Sequence, residues 1–169
     1  MTFRWHATTE ATGGTTMLSH SDAGRGVVAR FNDGRVLKGT TQDFAPSKPK
    51  FHLFLDGDET SEPLEVSIGA LKALFFVKTW DGDSKRVDDN SFVLASGQGR
   101  RMLVTFADGE VMAGFTMGYA PHKPGFFLIP ADPKSNNARV FVVKSAVTRV
   151  EFVMTSNPAF TTVASAGGP

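Results

Sequence analysis

Apolar and polar residues alternate with a period of two along two separated stretches of the chain, the pattern of strands with one buried and one solvated face. From Gly26 the alternation sets Val27, Ala29 and Phe31 on one face and Val28 and Arg30 on the other. Asn32-Asp33-Gly34 predicts a hairpin turn, because Asp-Gly supplies positive-φ positions that suit the strand twist. Arg35 to Phe44 then reads as a long returning strand, with a bend or bulge expected at Gly39. Ala45-Pro46-Ser47-Lys48-Pro49 is a loop, since each proline lacks the N–H a central strand needs. Lys50 to Leu55 alternates Phe51, Leu53 and Leu55 against Lys50, His52 and Phe54, giving a third strand. Leu64 to Ile68 is a fourth, Gly69 to Ala73 a single helical turn, and Leu74 to Trp80 a fifth.

The plan then recurs. Val27 to Phe54 set against the chain 75 positions on gives 12 identities in 28 pairs, among them Asp33/Asp108, Gly34/Gly109, Gly39/Gly114 and Phe51/Phe126. The chain therefore reads as an internal duplication. The second copy runs through Arg101 to Phe106, a turn at Asp108-Gly109, Glu110 to Tyr119, a proline loop at 120–124, Gly125 to Ile129, Arg139 to Val143, a turn at Lys144 to Ala146, and Val147 to Met154. Beyond Leu128 the register slips by one, so that Leu71, Leu74, Phe76 and Val77 match Val147, Val150, Phe152 and Val153. Such an insertion belongs in a loop. The expected organisation is an N-terminal tail (1–24), repeat one (25–80), a linker (81–99), repeat two (100–155) and a C-terminal tail (156–169). Phe31, Phe51, Phe106 and Phe126 are expected to point inward on matching faces.

Five short strands, a bent second strand and one helical turn before the last strand predict an all-β protein made of two tandem five-stranded SH3-like barrels. The spacing Asp33-Gly34-Arg35, Gly39, Phe44 and Phe51-x-Leu53 resembles the Sm-like variant of that fold. The wording of residues 26–154 also resembles an uncharacterised bacterial tandem-repeat family, a likeness that implies no activity. The Asn or His by which Sm-like proteins hold RNA does not follow Leu53 or Leu128. The Arg-x-x-x-Arg arm of PilZ barrels, which bind cyclic dinucleotides, is missing as well.

Composition narrows the functions. The formal net charge is +1, so no electrostatic footprint for nucleic acid or an anionic membrane stands out. The absence of Cys removes disulfides, thiolate metal sites and a Cys nucleophile. No apolar run approaches the length of a membrane span or a signal peptide, which points to a cytoplasmic protein. His6, His20, His52 and His122 lack paired spacing, so neither a metal nor another cofactor is expected. Without a nucleophile motif or a phosphate-binding glycine loop, the expectation is a protein that is not an enzyme and has no catalytic residues.

Two places could hold a small ligand. In the second proline loop, Tyr119, His122 and Lys123 bring a ring and a cation to rigid backbone. In the polar loop after it, Lys134, Asn136, Asn137 and Arg139 supply donors suited to phosphate or carboxylate. The matching loop of the first copy, Asp56 to Glu65, carries five acids and no base. For protein contact the candidates are Phe3 and Trp5, which could add to a sheet edge, and Phe44 with Lys48 in the first proline loop. The leading expectation is a non-enzymatic binding or adaptor protein that contacts a protein partner or forms a homo-oligomer. A PilZ-like sensor of an anionic nucleotide is the alternative, and Sm-like RNA binding the third reading.

Overall fold

The computed structural model describes residues 26–57, 62–81, 86–93 and 95–154. Its strands are β1 (Gly26–Phe31), β2 (Val36–Thr40), β3 (Lys50–Leu55), β4 (Leu64–Ser67), β5 (Leu71–Val77), β6 (Arg100–Phe106), β7 (Val111–Thr116), β8 (Gly125–Pro130), β9 (Asn137–Val143) and β10 (Val147–Phe152). Helix among the described residues is limited to single 3-10 turns at Ile68–Ala70 and Lys144–Ala146. The expected all-β class therefore stands.

The ten strands form one antiparallel sheet in the order β10-β6-β7-β8-β9-β5-β1-β2-β3-β4. Two separate barrels are not what the pairing shows. The ladder runs without a break through β5 and β9, and no pairing among the described residues closes either half on itself, so the sheet is open at β4 and β10.

The sequence of the two central strands accounts for the junction. Leu71, Leu74 and Phe76 of β5 join Phe141 and Val143 of β9 in a core shared with β1, β3 and β4. Ala73 and Phe75 of β5 join Val140 and Val142 of β9 in a second core, on the opposite face, with β6 and β8. Both strands are thus covered on both faces, which is why Leu71–Val77 reads LKALFFV and shows no clean alternation. Burial of so much apolar surface, at about 25 cal/mol per Å² removed from water, favours one fused sheet over two exposed strands.

The pairing registers repeat. Val27 lies opposite Gly39 and Phe76, while Met102 lies opposite Gly114 and Phe152. Phe51 pairs with Val66 and Phe126 with Val142, so the offset changes from 75 to 76 between the third and fourth strands of each half. Phe31, Phe51, Phe106 and Phe126 are all buried.

Three local expectations need correction. The helical turn expected over Gly69 to Ala73 is a 3-10 turn at Ile68–Ala70, and Leu71 to Ala73 already belong to β5, which ends at Val77 rather than Trp80. The hairpin turns have positive φ only at Gly34 (89°) and Gly109 (85°), and no non-glycine residue shares that region. Asp33 and Asp108 act instead through their carboxylates, which accept the N–H of Arg35 at 3.0 Å and of Glu110 at 3.1 Å. The geometry is a three-residue loop ending in a left-handed glycine, in place of a two-residue Asp-Gly turn. The second strand also stops at Thr40 rather than running to Phe44. β3 crosses β2 over only two residue pairs, Gly39 with Leu55 and Thr40 with Phe54. A Cβ on Gly39 would collide with the carbonyl oxygen of Phe54, so glycine is what allows that crossing.

Candidate functional site

The junction of the halves leaves a cleft of about 690 Å³. Its walls come from the β1–β2 hairpin, the start of β5, the β6–β7 hairpin, residues 86–90 and the end of β8 with the loop after it. Lys72 sits at its base. In an apolar strand, an ammonium with a side chain only 9% exposed requires partners, and it has two: the carboxylates of Asp108 and of Glu110, the latter at 2.5 Å. It also lies 4.5 Å from the centre of the Phe106 ring. The Lys72 hydrogen bond, reinforced by the N–H of Glu110, holds the Asp108 carboxyl below the usual carboxylate range. Arg30 reaches Glu110 from the other wall at 3.4 Å, with its guanidinium over Phe75.

The position equivalent to Glu110 in the first half is Arg35. There the guanidinium folds back onto Asp33 at 2.7 Å and over the ring of Phe31. One reversal of charge between the copies thus turns a local ion pair into a tie between hairpins. The linker is tied down as well. Asp132, 6% exposed in its side chain, accepts the Arg86 guanidinium, the N–H of Asp89 at 3.0 Å and the N–H of Lys134 at 2.8 Å. The Asp89 N–H, more than the others, lowers the Asp132 pKa, against an opposing effect of burial. Asn90 binds both Val111 O and Ala113 N along β7.

The side chains singled out from sequence are scattered. Asn136 and Asn137 line the cleft, whereas Lys134 and Arg139 do not. Asn136 is engaged with the end of β5: its Oδ1 accepts from Thr79 N at 3.2 Å and Thr79 Oγ1 at 3.0 Å, and its Nδ2 donates to Thr79 O at 2.9 Å. Arg139 is half-buried over the rings of Phe76 and Phe127, at 4.7 and 4.3 Å, and desolvation lowers its pKa. Phe44 is packed among Phe51, Phe76, Phe127 and Phe141 rather than offered at the surface. Lys48 donates to Asp43 O at 3.3 Å. Tyr119 packs edge-on against Phe126 and Phe152, while His122 and Lys123 are exposed in the proline loop. Phe3, Trp5, His6 and His20 lie outside the described residues, as do both tails.

Sequence reasoning missed Lys72, Arg30, Asp108 and Glu110 as cleft residues. Two signals were present: a lysine inside an apolar run, and the Arg35/Glu110 reversal. Among the described residues, no group of His, Asp or Glu converges in a way that could hold a metal ion. No described helix is long and apolar enough to cross a membrane.

The model of a family of unknown function, DUF6982, matches residues 23–154. The chain belongs to DUF6982. The match takes in all ten strands and the cleft of this DUF6982 chain. No curated protein and no solved structure matches it.

Proposed function

We propose that each half of the chain is a small SH3-like, Sm-like unit, and that the pair serves as a non-enzymatic adaptor holding a protein segment in the cleft between them. The order β5-β1-β2-β3-β4 recurs as β10-β6-β7-β8-β9, each with a 3-10 turn before its last strand, and this supports the finer fold reading. The observation that carries the functional reading is the contrast between floor and rim. The charges of the floor are already paired, so an anion finds few unengaged donors there. The rim instead exposes Val36 (51%), Val87 (88%) and Val111 (41%). Apolar side chains around a polar, self-neutralised floor suit a polypeptide, which brings both apolar groups and backbone donors and acceptors.

A photo-crosslinking residue placed at Val36 or Val111 tests this in cells, with Thr148, remote on β10, as control. The expected result is a discrete protein adduct at the two rim sites that Val111→Asp abolishes. Equal labelling at Thr148 refutes the cleft as the contact surface. A thermal-shift series with cyclic dinucleotides and short RNAs separates the other readings, since a ligand of the native state raises its melting temperature. A shift of several degrees with either would replace the adaptor reading.

A further inference from the structure

The junction at the centre of the sheet joins two unlike edges, and the same two kinds of edge are left unpaired at its ends. In the first half the last strand, β5, meets β9, the fourth strand of the second half, with Leu74 opposite Phe141 and Phe75 opposite Val140. What remains open is β4, again a fourth strand, at one end and β10, again a last strand, at the other. Two copies of the chain therefore carry complementary edges, and a contact between them would be heterologous, leaving a fresh edge of each kind after every addition.

The substitutions at these ends are concerted. At the junction, Phe44 lies 5.2 Å from Phe141 and 6.4 Å from Phe127, centre to centre. In the repeat register the free β10 end has Tyr119 where Phe44 stands, and the free β4 end has Glu65 and His52 where Phe141 and Phe127 stand. A phenol thus faces the positions of a carboxylate and an imidazole, a hydrogen-bonding set replacing a ring cluster. The wider charge agrees in sign. Asp56, Glu62 and Glu65 lie in or next to β4, while Arg100 and Arg101 open β6 next to β10, where Arg149 is paired with Glu151 at 2.9 Å. Arg100 is spread over Phe152, within reach of whatever approaches that strand.

We propose that β4 of one chain pairs with β10 of a second copy in the register of the β5–β9 junction, as a polar and salt-sensitive version of that contact. The register sets Leu64 opposite Glu151 and Glu65 opposite Val150 of the neighbour, with Glu65 against the hydroxyl of Tyr119. Side chains polar enough for water when unpaired make the association reversible, unlike the apolar junction within the chain. This stands apart from the adaptor reading, because neither edge lines the cleft.

The chain has no Cys, which makes the test direct. The double variants Leu64→Cys/Glu151→Cys and Glu65→Cys/Val150→Cys, oxidised gently, are expected to give a ladder at multiples of 18.2 kDa in at least one case. Single-cysteine variants, with no thiol opposite the lone cysteine, should stay largely monomeric. Sedimentation of the unmodified chain should show a mass that rises with concentration and falls in high salt. Glu65→Lys should return it to a monomer, and Glu65→Phe with Tyr119→Phe, which copies the Phe44–Phe141 contact of the junction, should keep association and weaken its salt dependence. A monomer at every concentration and salt, with no ladder from either pair, overturns the proposal. A disulfide dimer from a single-cysteine variant as abundant as the product of the pairs does so too, since it means like edges meet.

Discussion

Phe141→Ala tests whether the two halves share one cooperative core. The side chain is fully buried in β9, yet it packs into the core of the first half, against the rings of Phe44 and Phe127 at 5.2 and 5.3 Å. Truncating a buried Phe costs about 3–5 kcal/mol through lost transfer energy and the cavity left behind. The upper part of that range applies here, because edge-on ring pairs add about 0.5–1.5 kcal/mol each and two are lost. Against a total of about 5–15 kcal/mol this is a large fraction. For a chain of this size it corresponds to a melting temperature lower by roughly 8–20 °C. Urea unfolding in a Trp5→Phe background, followed both by circular dichroism and by the fluorescence of the remaining Trp80, is the assay. Trp80 reports on the first half, where its ring lies against Gly26. The expected outcome is one transition by both probes, with the midpoint moved and the slope unchanged, although the mutation is in a strand of the second half. A loss under about 1 kcal/mol, or two transitions of which the Trp80 signal follows the unmoved one, would falsify the shared core.

Two further outcomes follow from single positions. Gly39→Ala should destabilise by about 1–3 kcal/mol or more, because its Cβ meets backbone that cannot give way, whereas Gly69→Ala, whose Cβ meets nothing within 4 Å, should stay within about 0.5 kcal/mol; equal effects in urea titrations would contradict the close crossing of β2 and β3. Asp132 has a lowered folded-state pKa, so its stabilising effect is present above the unfolded value of about 3.9 and is lost as pH falls through the folded value. The stability gap between wild type and Asp132→Asn should therefore be widest near neutrality and shrink in acid, and a gap that stays constant down to pH about 3 would show that Asp132 does not hold the linker as an anion.

Much of the fold was legible because its signals are local. Alternation located the strands, the proline pairs located the loops, and the slip after Leu128 placed an insertion that the pairings put between the third and fourth strands. What alternation does not carry is the identity of a partner strand. The runs Leu71–Val77 and Val140–Val143 read as a turn and ordinary strands, their burial on two faces emerges only from the packing, and nothing in either run names the other. The cleft was harder still. It brings together side chains as far apart as Arg30 and Glu110, 80 positions, and its sign pattern depends on which hairpin lies across from which. Donor-rich loops attracted attention through composition, and Asn136 shows the weakness of that signal, since the same amide groups suit a ligand and the end of a neighbouring strand equally well.

The two-faced burial of β5 and β9 also bears on how such a chain can change over generations. Copies of a duplicated segment ordinarily drift apart on their own, each answering to its own interior. Here Ala73 and Phe75 answer to residues past position 100, and Phe141 answers to residues before position 80. Substitutions on these two strands are expected to arise in compensating pairs across the duplication, while exposed positions away from these strands and from the open edges, such as Met117 and Met154, are free to wander. Recombination within 81–99 between diverged relatives would bring together a β5 and a β9 with no shared history, so the two halves are inherited as one.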